Sequence, residues 1–400
     1  MSTLEYNLSL FFEFGDCVSK YKFSGFYLLL LIIDLLVFPK FLFSTPLLVF
    51  FIPLFLLFIP NFRHSNIIVY FALLIVIVSS VLFGSMEYQG YTSENLKRGI
   101  QIGVVFIILL YDFEKIDFVF MFKWLRRILI VYFLMILLLI FIFFFEVDLY
   151  SRFMRTFFPE SIPMLLNNIS HQRFSFHFTD PNAMGYFIVI VLAFLLTLKL
   201  PVREHMFYLI CALIIVLTTQ SRGAMLSYGL VALSYYFLFL NGKASKFYFL
   251  SLLVICCFIA FFYLEIYVDN FFAAMVERSD AESALGAGLG GGRIDSWYYF
   301  FQNFNYNPFF GVGYSLERDG EVYRPHSDFI RMNLSYGILV YFLFLYMLRG
   351  FCIKHTMIIF SFAVPFLINT VIDDYRLFCI FLIFYCLIRS GNKYKNTVAK

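Results

Sequence analysis

Apolar runs close in length to a membrane-spanning helix recur along almost the whole chain, broken by short polar connections. In water each run would need its own buried place beneath a charged shell. The chain has too little charge to make that shell: 14% of its residues are Asp, Glu, Lys or Arg, against roughly 25% in soluble domains. With 62% hydrophobic residues and 58 phenylalanines, lipid has to be the solvent for most faces. The expected fold is therefore all-α, a polytopic transmembrane helix bundle forming one integral membrane domain over residues 1–400.

Measured against the roughly 20 residues that a helix needs to cross a bilayer, spans are expected near 24–39, 41–60, 66–84, 99–111 and 128–146. A second group is expected near 183–198, 205–220, 223–241, 247–265, 332–348, 356–371 and 375–388. That makes about twelve. The stretches 99–111 and 375–388 are short for a span, and 24–60 can also be read as a re-entrant pair. Two long polar segments interrupt the pattern, 147–182 and 266–331, and each is expected to carry short amphipathic helices. The first residues lack a basic segment leading into an apolar run and a small-residue cleavage site, so the first span is expected to stay in the mature protein. The seven cysteines fall in spans or inner segments without zinc spacing, which leaves them as small apolar side chains.

Placing both termini in the cytoplasm puts 17 of the 30 basic residues inside, on short connections, and spreads the other 13 over the much longer outer segments. The density of positive charge favours this orientation, with both long segments outside. The kind of cation differs too: 11 of the 17 inner ones are Lys, whereas 11 of the 13 outer ones are Arg. A guanidinium presents paired donors in a plane and keeps its charge, so an outer face rich in Arg suits a phosphorylated anion; drift between Arg and Lys is the plainer explanation. The small net charge of +4, scattered along the chain, excludes a nucleic-acid partner.

The polar motifs lie on the outer side of this topology. Arg173 precedes Asp180-Pro181-Asn182 at the start of a span. Thr179 or Asp180 would cap that helix with Pro181 in its first turn, which leaves Arg173, His171 and His177 unexplained. Between two spans, Ser221-Arg222-Gly223 is too short to be an ordinary loop, so Arg222 sits at the membrane surface, either snorkelling or held where lipid head groups lie. The second segment has glycines at 286, 288, 290, 291 and 292, then Arg293 and Trp297 one helical turn apart. An interfacial helix there would be anchored by Trp297 and would present Arg293 to a head group. Asn307-Pro308 to Gly313 reads as a turn, and Arg324-Pro325-His326-Ser327-Asp328 leads into a span. His326 is the one histidine of this segment, a candidate base or sugar ligand as well as a plain solvated histidine. Asp373, Asp374 and Arg376 in the last outer turn form an ion pair or orient an acceptor.

In this order, Arg173, Asp180-Pro181-Asn182, Ser221-Arg222-Gly223-Ala224, Gly292-Arg293 with Trp297, Asn307-Pro308 with Gly311-Val312-Gly313, and His326-Ser327-Asp328-Phe329 resemble the O-antigen polymerase and O-antigen ligase superfamily. The resemblance implies a GT-C-like glycosyltransferase of the bacterial inner membrane that needs neither cofactor nor metal. Its donor would be an undecaprenyl-pyrophosphate-linked oligosaccharide. The acceptor would be a second lipid-linked repeat unit in a polymerase, or lipid A core in a ligase, where His-Asn is more usual than the His326-Ser327 found here. Membrane lipid and a chain-length regulator protein are the other implied partners. Arg222 and Arg293 would hold the pyrophosphate, with His326 and Asp180 completing the catalytic set. Arg173, Asn182, Ser221, Arg324, Asp328 and Trp297 would bind substrate. A flippase or transporter of twelve spans is the alternative from another class; it predicts charges at mid-membrane depth, where only Asp34 lies, and internal repeats, of which none is evident. A purely structural membrane partner is a third, and it predicts tolerance of Arg222→Ala and Arg293→Ala.

Overall fold

The computed structural model of the chain describes residues 25–37, 64–87, 92–111, 113, 116, 118–159, 162–178, 180–240, 246–247, 249–251, 308–311, 316–318, 321–323, 327–349, 353–369 and 375–398. The expected span 41–60 and most of 247–265 lie outside the described residues, as do Arg293, Trp297, Arg324, His326, Asp373 and Asp374.

The described architecture is helical. In chain order the helices are α1 (Gly25–Val37), α2 (His64–Glu87), α3 (Thr92–Phe106), α4 (Phe118–Phe145), α5 (Val147–Phe157) and α6 (Ile162–Ser170). They continue with α7 (Pro181–Thr197), α8 (Val202–Thr219), α9 (Arg222–Leu238), α10 (Asp328–Tyr336), α11 (Ile338–Met347), α12 (His355–Ile368) and α13 (Tyr375–Val398). A 3₁₀ turn, Ile107–Leu110, follows α3. The strands among the described residues form an antiparallel hairpin, β1 (Leu316–Arg318) with β2 (Glu321–Tyr323), in register Leu316 to Tyr323 and Arg318 to Glu321.

Helix α7 is apolar on every side after its first turn, a pattern that only a fully enclosed helix satisfies. It is the central helix, buried from Met184 to Thr197 and packed by α8, α9, α12 and α13. Helix α4 shows the complementary case. Leu125, Leu129, Tyr132, Phe133 and Ile136 face inward, while Val131, Leu134, Leu138, Phe141 and Phe145 form an outward stripe at helical spacing, each half exposed or more. A stripe of large apolar side chains turned out of the core is what a lipid-facing helix presents.

Among the described residues, two helices are long and apolar enough to cross a membrane, Phe120–Phe145 and Val202–Thr219. A third span forms if α10 and α11 are one segment, but these meet at an angle of 111° at Gly337. The expected straight span 332–348 is thus bent. Gly337 stands at φ +73° and Gly311 at φ +70°, a region in which a side chain is strained. Each lies against the other's segment: a Cβ on Gly311 would fall 2.4 Å from the Ser335 carbonyl carbon, and one on Gly337 would fall 2.2 Å from that of Phe309. The Ile338 N–H donates to the Pro308 carbonyl at 2.9 Å, and the Ser80 hydroxyl of α2 donates to that of Phe310. The Pro308-Phe309-Phe310-Gly311 turn therefore fills the elbow of the bent helix pair.

Candidate functional site

The site forms where α7, α9 and α10 begin. Asp180 caps α7, its Oδ1 accepting from the Asn182 N–H at 2.9 Å, with Pro181 in the first turn. Ser221 caps α9, accepting from the Ala224 N–H at 3.3 Å. Ser327 caps α10, accepting from the Ile330 N–H at 3.4 Å. Each cap satisfies an N–H that the helix itself leaves open.

Small residues bring the first two starts together. A Cβ on Gly185 would meet that of Ala224 at 2.6 Å, and one on Gly223 would meet the Tyr186 hydroxyl at 2.0 Å and Ile368 Cδ1 at 2.9 Å. The backbones of α7 and α9 approach as closely as such residues allow, and the end of α12 closes over Gly223. From there the chain leads to α10, because the Asn369 carbonyl accepts from the Asp328 N–H at 2.9 Å. Arg376, in the first turn of α13, lies with its guanidinium carbon 5.6 Å from the centre of the Phe178 ring. Four helix N-termini thus gather at one end of the bundle, each equivalent to about half a positive charge.

Segment 172–178 is laid across the α8–α9 turn by Arg173. Its Nε donates to the Thr219 carbonyl at 3.1 Å and its Nη2 to Asn182 Oδ1 at 3.1 Å. Asn182 in turn donates from Nδ2 to Asp180 Oδ1 at 2.9 Å, so the arginine, the amide and the carboxylate form one chain. The Phe174 N–H adds a bond to the Thr218 carbonyl at 2.9 Å. All three non-glycine residues with positive φ among those described, Gln172, Phe176 and Gln220, lie at this junction. Local backbone strain of this kind persists only where surrounding contacts over-determine the path, and it clusters at functional sites. Replacing Arg173 by Lys is expected to lower stability by about 1–2 kcal/mol, since one ammonium cannot span both acceptors as the planar fork does. A thermal-unfolding midpoint equal to that of the unchanged protein would remove this role.

The structure therefore brings together six of the residues expected from the sequence: Arg173, Asp180, Asn182, Ser221, Arg222 and Asp328. Arg222 is exposed at the first position of α9, whereas Asp328 is almost fully buried. His171, just past the end of α6, is exposed, with Nδ1 2.8 Å from the carbonyl of Asn167 in that helix. His177 is fully buried between Phe176 and Phe178, and neither ring nitrogen has a hydrogen-bond partner among the described residues. Burial pushes the Tyr150 phenol on α5, against Phe174, well above its ordinary value. Sequence reasoning missed Asn369 and Tyr186. Each is a lone polar group at the edge of an apolar run, and only the packing of α12 and α7 on α9 identifies it. Among the described residues, no group of three or more His, Cys, Asp or Glu side chains is placed to hold a metal ion.

Residues 207–345 match the family described as O-Antigen ligase. The matched stretch begins in α8, ends in α11, and takes in the Ser221-Arg222-Gly223 turn, Gly311, Asp328 and Gly337. No curated protein and no solved structure matches the chain. The match over residues 207–345 supports a place for the chain in the O-antigen polymerase and ligase superfamily.

Proposed function

We infer that the protein is a polymerase that joins undecaprenyl-pyrophosphate-linked O-antigen repeat units at the periplasmic face of the bacterial inner membrane. The observation that carries this reading is the exposed Arg222, set among converging helix N-termini beside the anchored Arg173. Cleaving a sugar–pyrophosphate bond releases a highly charged leaving group, so donors that hold it more tightly as charge develops lower the barrier. Arg222 supplies such a donor, and Arg293 and Arg324 are assigned the remaining phosphate contacts. Arg173 acts as a positioning residue, because both of its described bonds go to the protein itself. His326 is the assigned proton acceptor for the attacking hydroxyl. Asp328 and Asn182 shape the sugar side, and Trp297 anchors the 266–331 segment at the interface. This reading keeps about twelve spans with both termini cytoplasmic, a GT-C-like mechanism without a resident cofactor, and a chain-length regulator as protein partner.

Ligase activity toward lipid A core is the second reading, favoured by the description of the matched family. A deletion strain separates the two on a silver-stained lipopolysaccharide gel. Loss of the polymerase leaves lipid A core carrying a single repeat unit, and loss of the ligase leaves bare core. An unchanged ladder of long chains would exclude both.

A further inference from the structure

The cations at the opposite end of the bundle play no part in that chemistry. Helix α7 runs away from the site for 17 residues, about 25 Å at the α-helical rise, and there Lys199 reaches a cavity of about 330 Å³. Lys123 and Arg126, three apart on one face of α4, line the same cavity, and so does Lys354 from the residue before α12. Arg126 is ion-paired with Glu204. Lys123, Lys199 and Lys354 have no carboxylate partner among the described residues. Drawing three ammonium groups from three separate segments to one cavity sets like charges against each other, and a bound anion turns that repulsion into attraction.

The rest of the lining decides what kind of anion fits. Between the cations the wall is hydrocarbon, including Phe122, Phe194 and Leu387. A small soluble anion gains nothing from such a wall, and a neutral lipid gains little from the ammonium groups. Nearby, Trp124 is half exposed with the Arg127 guanidinium 5.1 Å from its ring centre, a pairing suited to the membrane–water interface. We propose that this cavity is a binding site for an anionic phospholipid, its phosphate held by Lys123, Lys199 and Lys354 and an acyl chain lying along Phe122 and Phe194. Basic pockets between membrane helices bind phospholipid head groups in this way. The site is independent of the glycan-transfer reading, because it shares no residue with the arginine end.

The test uses the full chain, delipidated in a neutral detergent, with phosphatidylglycerol, phosphatidylcholine or inorganic phosphate added. Phosphatidylglycerol is expected to raise the thermal-unfolding midpoint and to remain bound in native mass spectrometry, while the other two additions leave the midpoint in place. Each lysine removed, as Lys199→Gln or Lys354→Gln, is expected to weaken lipid retention about fivefold. Arg127→Gln, which removes a neighbouring cation that does not line the cavity, is expected to leave retention unchanged. If either of these variants fails to fold, Lys123→Gln carries the same comparison. Equal stabilisation by inorganic phosphate would reassign the cavity to a soluble anion. Equal stabilisation by phosphatidylcholine, or undiminished phosphatidylglycerol retention in the lysine variants, would overturn the proposal.

Discussion

Replacing Arg222 by Ala is expected to lower glycan transfer about a hundredfold, the usual effect of removing one donor from a developing anion. The readout is loss of long-chain lipopolysaccharide at an unchanged level of protein in the membrane. The fold should tolerate the change, because the start of α9 is built by Ser221, Gly223 and Ala224 while Arg222 itself is exposed. Arg222→Lys should recover only part of the activity: it keeps the charge but loses the paired donors. Full polymer length in Arg222→Ala at normal expression would remove this residue from the site and with it the main support for pyrophosphate binding.

Gly337→Ala is expected to destabilise the protein by about 4 kcal/mol, combining the strain of a side chain at positive φ with overpacking. At that cost the protein should fail to accumulate in the membrane. The obstacle is main chain, since the new Cβ would lie 2.2 Å from both the carbonyl carbon and oxygen of Phe309, and no rotamer change relieves it. Gly311→Ala meets the Ser335 carbonyl and the Tyr336 nitrogen from the other side and should behave alike. Gly229, on α9, provides the control, because a Cβ there meets nothing within 4 Å; Gly229→Ala should leave expression unchanged. Normal accumulation of Gly337→Ala would mean that the elbow between α10 and α11 is not fixed by this contact.

The parts of the site that could be read in the sequence are those written locally. Asp180-Pro181 and Ser221-Arg222 announce helix starts by capping chemistry, and the apolar stretch after Asn182 has no polar face, which requires the central position that α7 takes. What was hidden depends on contacts distant in the chain. Hydropathy begins the fifth expected span near residue 128, but α4 starts at Phe118, because Lys123, Arg126 and Arg127 depress the average while their stems still follow the helix. The segment 332–348 looks like one span, since nothing local shows that Gly337 must receive the turn at 308–311. The hairpin 316–323 was also missed, although Asp319-Gly320 lies between its strands, a dipeptide that favours tight reversals. Even the link between Arg173 and the α8–α9 turn was legible only as an order of motifs, because the bond from its Nε reaches Thr219, 46 residues away.

That attachment has a consequence for how this protein can vary. Nε of Arg173 is bound to the main-chain oxygen of Thr219, so the tie does not depend on which side chain occupies position 219. It responds to spacing: adding or deleting a residue between Leu217 and Arg222 would move the carbonyl out of reach. Length changes in this short reversal should therefore be far more damaging than substitutions at 219 that preserve volume.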